Sequence, residues 1–188
     1  DFIIKSRAPL ISITGKVTSM ISQKLQDAVN EQINLELQSS YLYLAMSAYV
    51  DGKNFAGIAG WLRAQSVEEY EHGMKLYELM AELGADIHLL AISEPEREFG
   101  SFKALFDMVL AHEQHVTRSI HALYALAVEE KAYAAQPLLQ WFVTEQVEEE
   151  NTAADICHKL ELIKDNSIGL LALDRELGVR GPEAGGEE

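Results

Sequence analysis

The chain has little of what stabilises small secreted proteins or anchors proteins in membranes. Its 188 residues include one cysteine, Cys157, which excludes an intrachain disulfide. No apolar run reaches the roughly 18 residues that a membrane-spanning helix requires. Only four prolines occur, and few glycines interrupt the long segments rich in Ala, Leu, Glu and Gln. We therefore expect a soluble helical protein in a reducing compartment, the cytoplasm.

Positive charge is also scarce. Lys and Arg together number 15 against 30 Asp and Glu, so the formal net charge is -15. Proteins bind phosphate backbones through basic surfaces, and this charge balance therefore argues against a nucleic-acid partner. An acidic chain attracts cations instead, and these are the ligands that the composition favours.

The two ends of the chain differ in composition from the part between them. Residues 1–19 combine three basic residues with one acid, several Ser and Thr, a Pro and a Gly. This composition fits the remnant of a targeting peptide and equally an extension added ahead of Met20. Residues 181–188 form an acidic, Gly-rich tail of the kind that stays solvated. We predict a single domain over residues 20–180.

Helical patterning begins at Ser22 and continues almost to the end of the chain. Ser101 is the predicted N-cap of the third helix. The pattern predicts four long helices, over about 22–50, 54–83, 101–131 and 134–164, and a short fifth helix over about 170–177.

The connections between these helices predict the topology. The first two helices and the last two are each joined by a few residues, so each pair forms an antiparallel hairpin. The link from Gly84 to Gly100 is longer. About 16 extended residues reach roughly 55 Å, and a helix of about 30 residues is roughly 45 Å long, so this link can run the length of the bundle. We predict an all-α fold: a four-helix bundle with one long crossover between helices two and three, plus a short fifth C-terminal helix.

Each long helix has one apolar stripe, which can be traced by alternating steps of three and four residues. Polar residues interrupt every stripe near the middle of its helix, and a carboxylate is among them in all four helices. These polar residues include Glu36 and Tyr43 in the first helix, Gln65, Glu69 and His72 in the second, Glu113 in the third, and Gln146 and Glu149 in the fourth.

Four carboxylates and an imidazole at one level of a bundle would lie within a few ångströms of each other. Burying a lone carboxylate costs several kcal/mol, and a core does not tolerate four of them without compensation. Any one of these glutamates alone fits a partly solvated surface group, and the spacing of Glu69 and His72 is common by chance. The joint pattern favours a metal site, and carboxylates with one imidazole suit iron or manganese better than zinc.

The remaining chemistry-bearing residues lie off the stripes or fit a structural role. Trp61 and Trp141 are predicted core anchors, and Cys157 a small buried apolar residue. The histidines outside the stripes are predicted surface or packing residues: His88, His112, His115, His121 and His158.

Four motifs resemble those of bacterial non-haem ferritins. They are "NEQINLELQSSYLY" (30–43), "VEEYEH" (67–72), "HEQ" (112–114) and "LQWFVTEQVEEE" (139–150). The resemblance covers residues 21–180 and spans all four long helices in order. Ferritin-like folds are also a known instance of a bundle with one long crossover.

The resemblance implies a di-iron ferroxidase centre without haem. In it, Glu36, Glu69 and His72 hold one iron, and Glu69 bridges to a second iron held by Glu113 and Glu149. Gln146 lies beside the second iron, and Tyr43 lies near the first as a hydrogen-bonding or redox partner. The residues that match the family's additional third iron site are Glu68, Glu145 and Glu148.

The resemblance also implies what the centre does. Dioxygen or peroxide oxidises Fe²⁺ there, and a shell of about twenty-four identical subunits stores the ferric product as a mineral. Two ferrous ions held close together each supply one electron to the oxidant.

Other readings remain open beside this one. Bacterioferritins and rubrerythrin-like proteins carry a Glu-x-x-His on the last bundle helix, where this chain has Gln146 and Glu149, and Tyr70 stands where a bacterioferritin has its haem-ligating Met. Both differences disfavour these relatives. A metal-free helical bundle serving as an interaction module is a third possibility.

The short fifth helix is amphipathic, and its leucines are too apolar to remain in water. We predict that self-association in the shell buries them; the alternative is that they pack back onto their own bundle. They are Leu170, Leu171, Leu173 and Leu177.

Overall fold

The computed structural model describes residues 19–164 and 166–179, and within these ranges it contains five helices and no strand. The helices are α1 (Gln23–Asp51), α2 (Ala56–Glu82), α3 (Phe102–Glu129), α4 (Gln136–Ile163) and α5 (Ser167–Gly178). The predicted all-α fold is confirmed. The N-terminal segment and the acidic tail lie outside the described residues, so the domain limits stay a prediction.

The helix ends follow local capping chemistry. Ser22 and Ser101 each cap a helix with the side-chain oxygen, which accepts from the backbone N–H three residues later. The fifth helix begins earlier than predicted because the Asn166 side chain accepts from the backbone N–H groups of Ile168 and Gly169. No helix among the described residues is both long and apolar enough to cross a membrane.

The segment between α2 and α3 follows α1 along the bundle, as the length argument predicts. Near the start of α1, Gln26 Oε1 accepts from the backbone N–H of Asp86 at 2.8 Å. Two turns further on, Asn34 Nδ2 donates to the carbonyl of Leu90. Near the end of α1, the Tyr49 hydroxyl donates to the carbonyl of Gly100 at 2.6 Å. Side chains of α1 therefore hold both ends and the middle of the crossover.

Buried apolar residues form two clusters, one toward each end of the bundle. One includes Met46, Trp61 and Phe106, and the other includes Leu25 and Val116. A layer of buried polar residues separates them in the middle of the long helices. This layer includes Gln32, Glu36, Gln65, Glu69, His72, Glu113, Gln146 and Glu149.

The fifth helix packs against the start of α2. Gly57 allows the close approach, because a Cβ built on it would lie 1.8 Å from the carbonyl oxygen of Asp174. Asp174 Oδ1 in turn accepts from the backbone N–H of Ile58 and caps α2, whose own N-cap residue makes no side-chain cap.

This packing corrects the prediction for two leucines of the fifth helix. Leu173 and Leu177 are buried in the apolar cluster of their own bundle, so self-association is not needed to cover them. Leu170 is half-buried against the same cluster. Apolar surface remains on this helix at Ile168, which is 78% exposed, at Leu171, which is 51% exposed, and at the C-cap residue Val179, which is 83% exposed.

Candidate metal centre

The polar residues predicted at the middle of each helix all lie in the buried layer. Glu69 and Glu113 are completely buried, and the most exposed member, Glu149, shows 8% of its surface. Each comes from the apolar stripe of its helix, which turns the side chain toward the bundle axis. The four helices therefore bring carboxylates together inside the protein. The predicted residues in this layer are Glu36, Tyr43, Glu69, His72, Glu113, Gln146 and Glu149.

Among the described residues, two sets of side chains are close enough to hold a cation. The inner group consists of Glu36, Glu69 and His72, all buried, whose ligand atoms lie within 4.8 Å of one another. The outer group consists of Glu68, His72 and Glu145, within the same distance, and its two glutamates are half-buried. His72 belongs to both groups, so the imidazole lies between a buried position and one closer to the surface.

Three predicted residues are placed differently from their predicted partners. Glu113 and Glu149 belong to neither group, although the charges of both raise the pKa of Glu69. Glu148 is exposed and also lies outside the outer group, and its assignment to a third iron site with Glu68 and Glu145 stays a prediction. Its charge nevertheless contributes to raising the pKa of Glu145, after burial and the charge of Glu68.

Four buried carboxylate oxygens of this layer have no hydrogen-bond partner among the described residues. They are Glu36 Oε2, Glu69 Oε1, Glu69 Oε2 and Glu113 Oε2. A buried acceptor without a donor costs about 1–3 kcal/mol, and more when it is charged. Cations bound in the layer would satisfy these oxygens, because carboxylate oxygens are the ligands that hard metal ions prefer. The donor set therefore fits iron.

The other carboxylate oxygens of the layer are held by amides and a phenol. Glu36 Oε1 accepts from Gln32 Nε2 at 2.8 Å. Glu149 Oε2 accepts from Gln65 Nε2 at 3.1 Å. The Tyr43 hydroxyl donates to Glu113 Oε1. Each contact orients one carboxylate of the layer.

Sequence reasoning missed Gln32 and Ser119 as supports of the centre. The Ser119 hydroxyl donates to Gln32 Oε1 at 2.6 Å and so orients the Gln32 amide, whose Nε2 donates to Glu36 Oε1. Gln32 lies four residues before Glu36, so helical spacing places both on one face of α1 and was the available signal. Ser119 gave no signal, because it is joined to Gln32 only by the packing of α3 against α1.

Burial and mutual repulsion make the iron-free layer prefer its protonated forms. Burial raises the pKa of Glu69 well above its usual range, and the charges of Glu113 and Glu36 raise it further. Burial raises the pKa of Glu113 to about 7, partly offset by the hydrogen bond from Tyr43. Burial also raises the pKa of Glu36, against the effect of Gln32. Cations that bind here replace protons.

The imidazole has the opposite shift. Burial, with a smaller effect from the charge of Lys75, lowers the pKa of His72 to about 4. The ring is therefore neutral near pH 7 and offers a lone pair to a metal ion. The rings of Trp141 and Phe142 meet it edge to face, each with centroids 5.5 Å away, and hold its orientation.

Aromatic and polar neighbours fix Tyr43 within the layer. Its ring meets Trp61 edge to face at 6.5 Å and His112 at 6.4 Å. His112 also lies 2.7 Å from the Ser39 hydroxyl, which makes it a half-buried packing residue, as predicted for the histidines outside the stripes. The burial of Trp61 and Cys157 likewise confirms the roles predicted for them.

A four-helix bundle that buries glutamates and a histidine at one level belongs to the class of carboxylate-rich, metal-binding helical bundles. Comparison with known proteins identifies its family. A family model described as "Ferritin-like domain" matches residues 26–163. The chain belongs to the ferritin family.

Individual relatives agree with this assignment. The chain is 40% identical over 161 residues to "Bacterial non-heme ferritin" from Bacteroides fragilis, which covers 86% of this chain and 100% of that protein. It is 37% identical to the protein of the same name from Staphylococcus aureus, over 86% of this chain and 97% of that protein. Among solved structures, an open pore ferritin from the archaeon Archaeoglobus fulgidus has a TM-score of 0.84 and 45% identity, covering 86% of this chain and 99% of that chain.

Proposed function

We propose that this protein oxidises Fe²⁺ at a buried pair of iron positions and stores the ferric product inside a shell of about twenty-four copies of the chain in the cytoplasm. Iron storage with ferroxidase activity is the function that membership of the ferritin family supports. The observation that carries the site assignment is the set of buried carboxylate oxygens without hydrogen-bond partners in Glu36, Glu69 and Glu113.

In this proposal the first Fe²⁺ binds the inner group, Glu36, Glu69 and His72. Glu69 bridges to a second Fe²⁺ at Glu113 and Glu149. Both oxygens of Glu69 lack hydrogen-bond partners, which suits a bridging carboxylate. Gln146 lies beside the second position, where its Oε1 accepts from Thr117 Oγ1 at 3.3 Å. The mostly carboxylate ligand set favours the ferric product over the ferrous substrate.

Oxidation follows from two substrate ions in one site. Each Fe²⁺ gives one electron to dioxygen, so the pair reduces it to hydrogen peroxide with two protons and becomes two Fe³⁺. With peroxide as the oxidant, the same two electrons give two molecules of water. Carboxyl groups of raised pKa, such as Glu69 and Glu113, release protons when Fe²⁺ binds and are a local source for this step.

The third iron position of the proposal is the outer group together with Glu148. Glu68, His72 and Glu145 supply ligands within 4.8 Å of one another, and Glu148 adds negative charge nearby. Because these glutamates are half-buried or exposed, this position connects the buried centre with the surface of the bundle.

Stopped-flow absorbance after aerobic addition of two Fe²⁺ per subunit tests the proposal. The wild-type protein is expected to oxidise them faster than buffer does, and Glu69→Gln to lose this fast phase because the bridging charge is gone. Glu71→Gln removes an exposed carboxylate from the same helix and is expected to retain the fast phase. A wild-type rate equal to that of buffer would reject the ferroxidase assignment.

A further inference from the structure

A lysine lies beside the acidic outer group. Lys75 Nζ is 4.8 Å from the centre of the Trp141 ring, over its face. The same Trp141 ring meets the ring of His72 edge to face at 5.5 Å. The ammonium of Lys75 and the imidazole of His72, which both groups share, therefore contact the same Trp141 ring.

Helical spacing explains this arrangement. On α2, Glu68, His72 and Lys75 follow one another at steps of four and three and so lie on one face. On α4, Trp141 and Glu145 are four residues apart and also share a face. The two faces meet, so that the acidic pair and the lysine–tryptophan pair lie side by side.

The Lys75 charge affects one residue on each of the two helices, His72 on α2 and Glu145 on α4. It contributes to lowering the pKa of His72 after burial, and it lowers the pKa of Glu145 against the larger effects of burial and of Glu68 and Glu148. The contact of Lys75 Nζ with the Trp141 ring, the contact of that ring with His72, and the three-residue spacing of His72 and Lys75 on α2 place the ammonium beside the outer group. A metal ion there would carry two or three positive charges and would be repelled by it.

We propose that Lys75 is an electrostatic gate of the outer group, whose ammonium weakens cation binding at Glu68, His72 and Glu145 so that iron occupies this position only in passage. The inference rests on the proposed function, because it requires that the outer group binds a metal ion. Trp141 positions the gate by holding the ammonium over its face. Without the gate, the outer group becomes a tighter site that retains its ion.

Titration of the iron-free, full-length protein with Tb³⁺ tests the gate without any redox chemistry. Tb³⁺ is a hard trivalent cation that prefers oxygen ligands, and tryptophan nearby sensitises its luminescence. The Tb³⁺ binding phase that is present in the wild type and missing in Glu145→Gln is assigned to the outer group. In Lys75→Met this phase is expected to shift to about tenfold lower Tb³⁺ concentration at low ionic strength, because one nearby positive charge is removed.

Two controls separate charge from packing. Lys75→Arg retains a cation over Trp141 and is expected to titrate like the wild type. The difference between Lys75→Met and the wild type is expected to shrink at high salt, since screening acts on charge and not on shape. An unchanged or weaker phase in Lys75→Met, or a shift that salt does not alter, would overturn the gate.

The failures of the two proposals remain distinguishable. If Glu145→Gln removes no Tb³⁺ phase, the outer group binds no cation and the gate has nothing to act on, while the stopped-flow result for Fe²⁺ still stands. If fast Fe²⁺ oxidation is absent but the Lys75→Met shift is present, the gate holds and the ferroxidase assignment fails.

Discussion

Replacing Glu113 with Gln is expected to stabilise the iron-free protein, although it removes a proposed iron ligand. Glu113 is completely buried, and its Oε2 has no hydrogen-bond partner among the described residues. Gln has nearly the same shape, and its side-chain oxygen can still accept from the Tyr43 hydroxyl. The substitution therefore removes a buried charge and its repulsion of Glu69 while leaving the packing in place.

The magnitude follows from the pKa. Burial raises the pKa of Glu113 from 4.5 to about 7. One pKa unit corresponds to about 1.4 kcal/mol, so ionising this carboxyl in the folded state costs about 3 kcal/mol more than in the unfolded chain. Below pH 4.5 the group is neutral in both states. Between pH 4.5 and 7 the unfolded chain loses this proton while the folded protein keeps it, so stability falls as the pH rises, and it levels off above pH 7.

Gln does not titrate, so the gain in stability should depend on pH. We expect Glu113→Gln to match the wild type near pH 4 and to exceed it by about 3 kcal/mol per subunit above pH 7. Denaturant unfolding of the iron-free proteins at one subunit concentration measures this difference. Glu129→Gln makes the same chemical change at an exposed position of the same helix and should leave the free energy of unfolding within about 0.5 kcal/mol of the wild type. A variant less stable than the wild type at pH 8 would show that the ionised carboxylate has a structural partner and would refute the reasoning.

Two further predictions concern the fifth helix. Gly57→Ala should lower the melting temperature, because its Cβ would lie 1.8 Å from the carbonyl oxygen of Asp174 on the fifth helix. Gly60→Ala, also on α2, places its Cβ in open space and should be neutral or stabilising by up to about 1 kcal/mol. Equal melting temperatures for the two variants would contradict this account of the helix contact. Truncation after Asn166 removes Leu173 and Leu177 from the core and should destabilise the bundle by about 3–6 kcal/mol. Light scattering of the iron-free truncated protein should show a loss of large particles, and a shell as stable as that of the full-length chain would refute the role of this helix.

Many residues of the metal centre could be predicted from the sequence, because buried positions recur every three or four residues along a helix. Steps of three and four along each helix identified Glu36, Glu69, Glu113 and Glu149 as inward-facing, and all four are buried. The same periodicity predicted the four long helices to within a few residues, and Gly52, Gly84 and Gly100 mark the end of α1, the end of α2 and the start of α3.

The contacts between helices could not be predicted in the same way. A period specifies the face on which a residue lies but not the direction in which its side chain leans. The resemblance to ferritins, and not the period, assigned Glu148 to a third iron site with Glu68 and Glu145, and the structure brings His72 together with those two residues. The burial of Leu173 and Leu177 in their own bundle depends on a close backbone approach at Gly57, which leaves no periodic signal.

The polar layer between the two apolar clusters has a consequence for how the helices align. If one helix slid by a heptad, a buried carboxylate such as Glu69 would enter an apolar cluster, and Leu76 would take its place among the acids. Burying a charge without partners costs several kcal/mol, which is comparable to the stability of a whole domain. A single polar position specifies register in coiled coils by the same penalty. The layer proposed to bind iron therefore penalises a slipped alignment once iron is bound, because only the native alignment brings its carboxylates together around the ions; without iron, the oxygens of Glu69 already lack hydrogen-bond partners among the described residues.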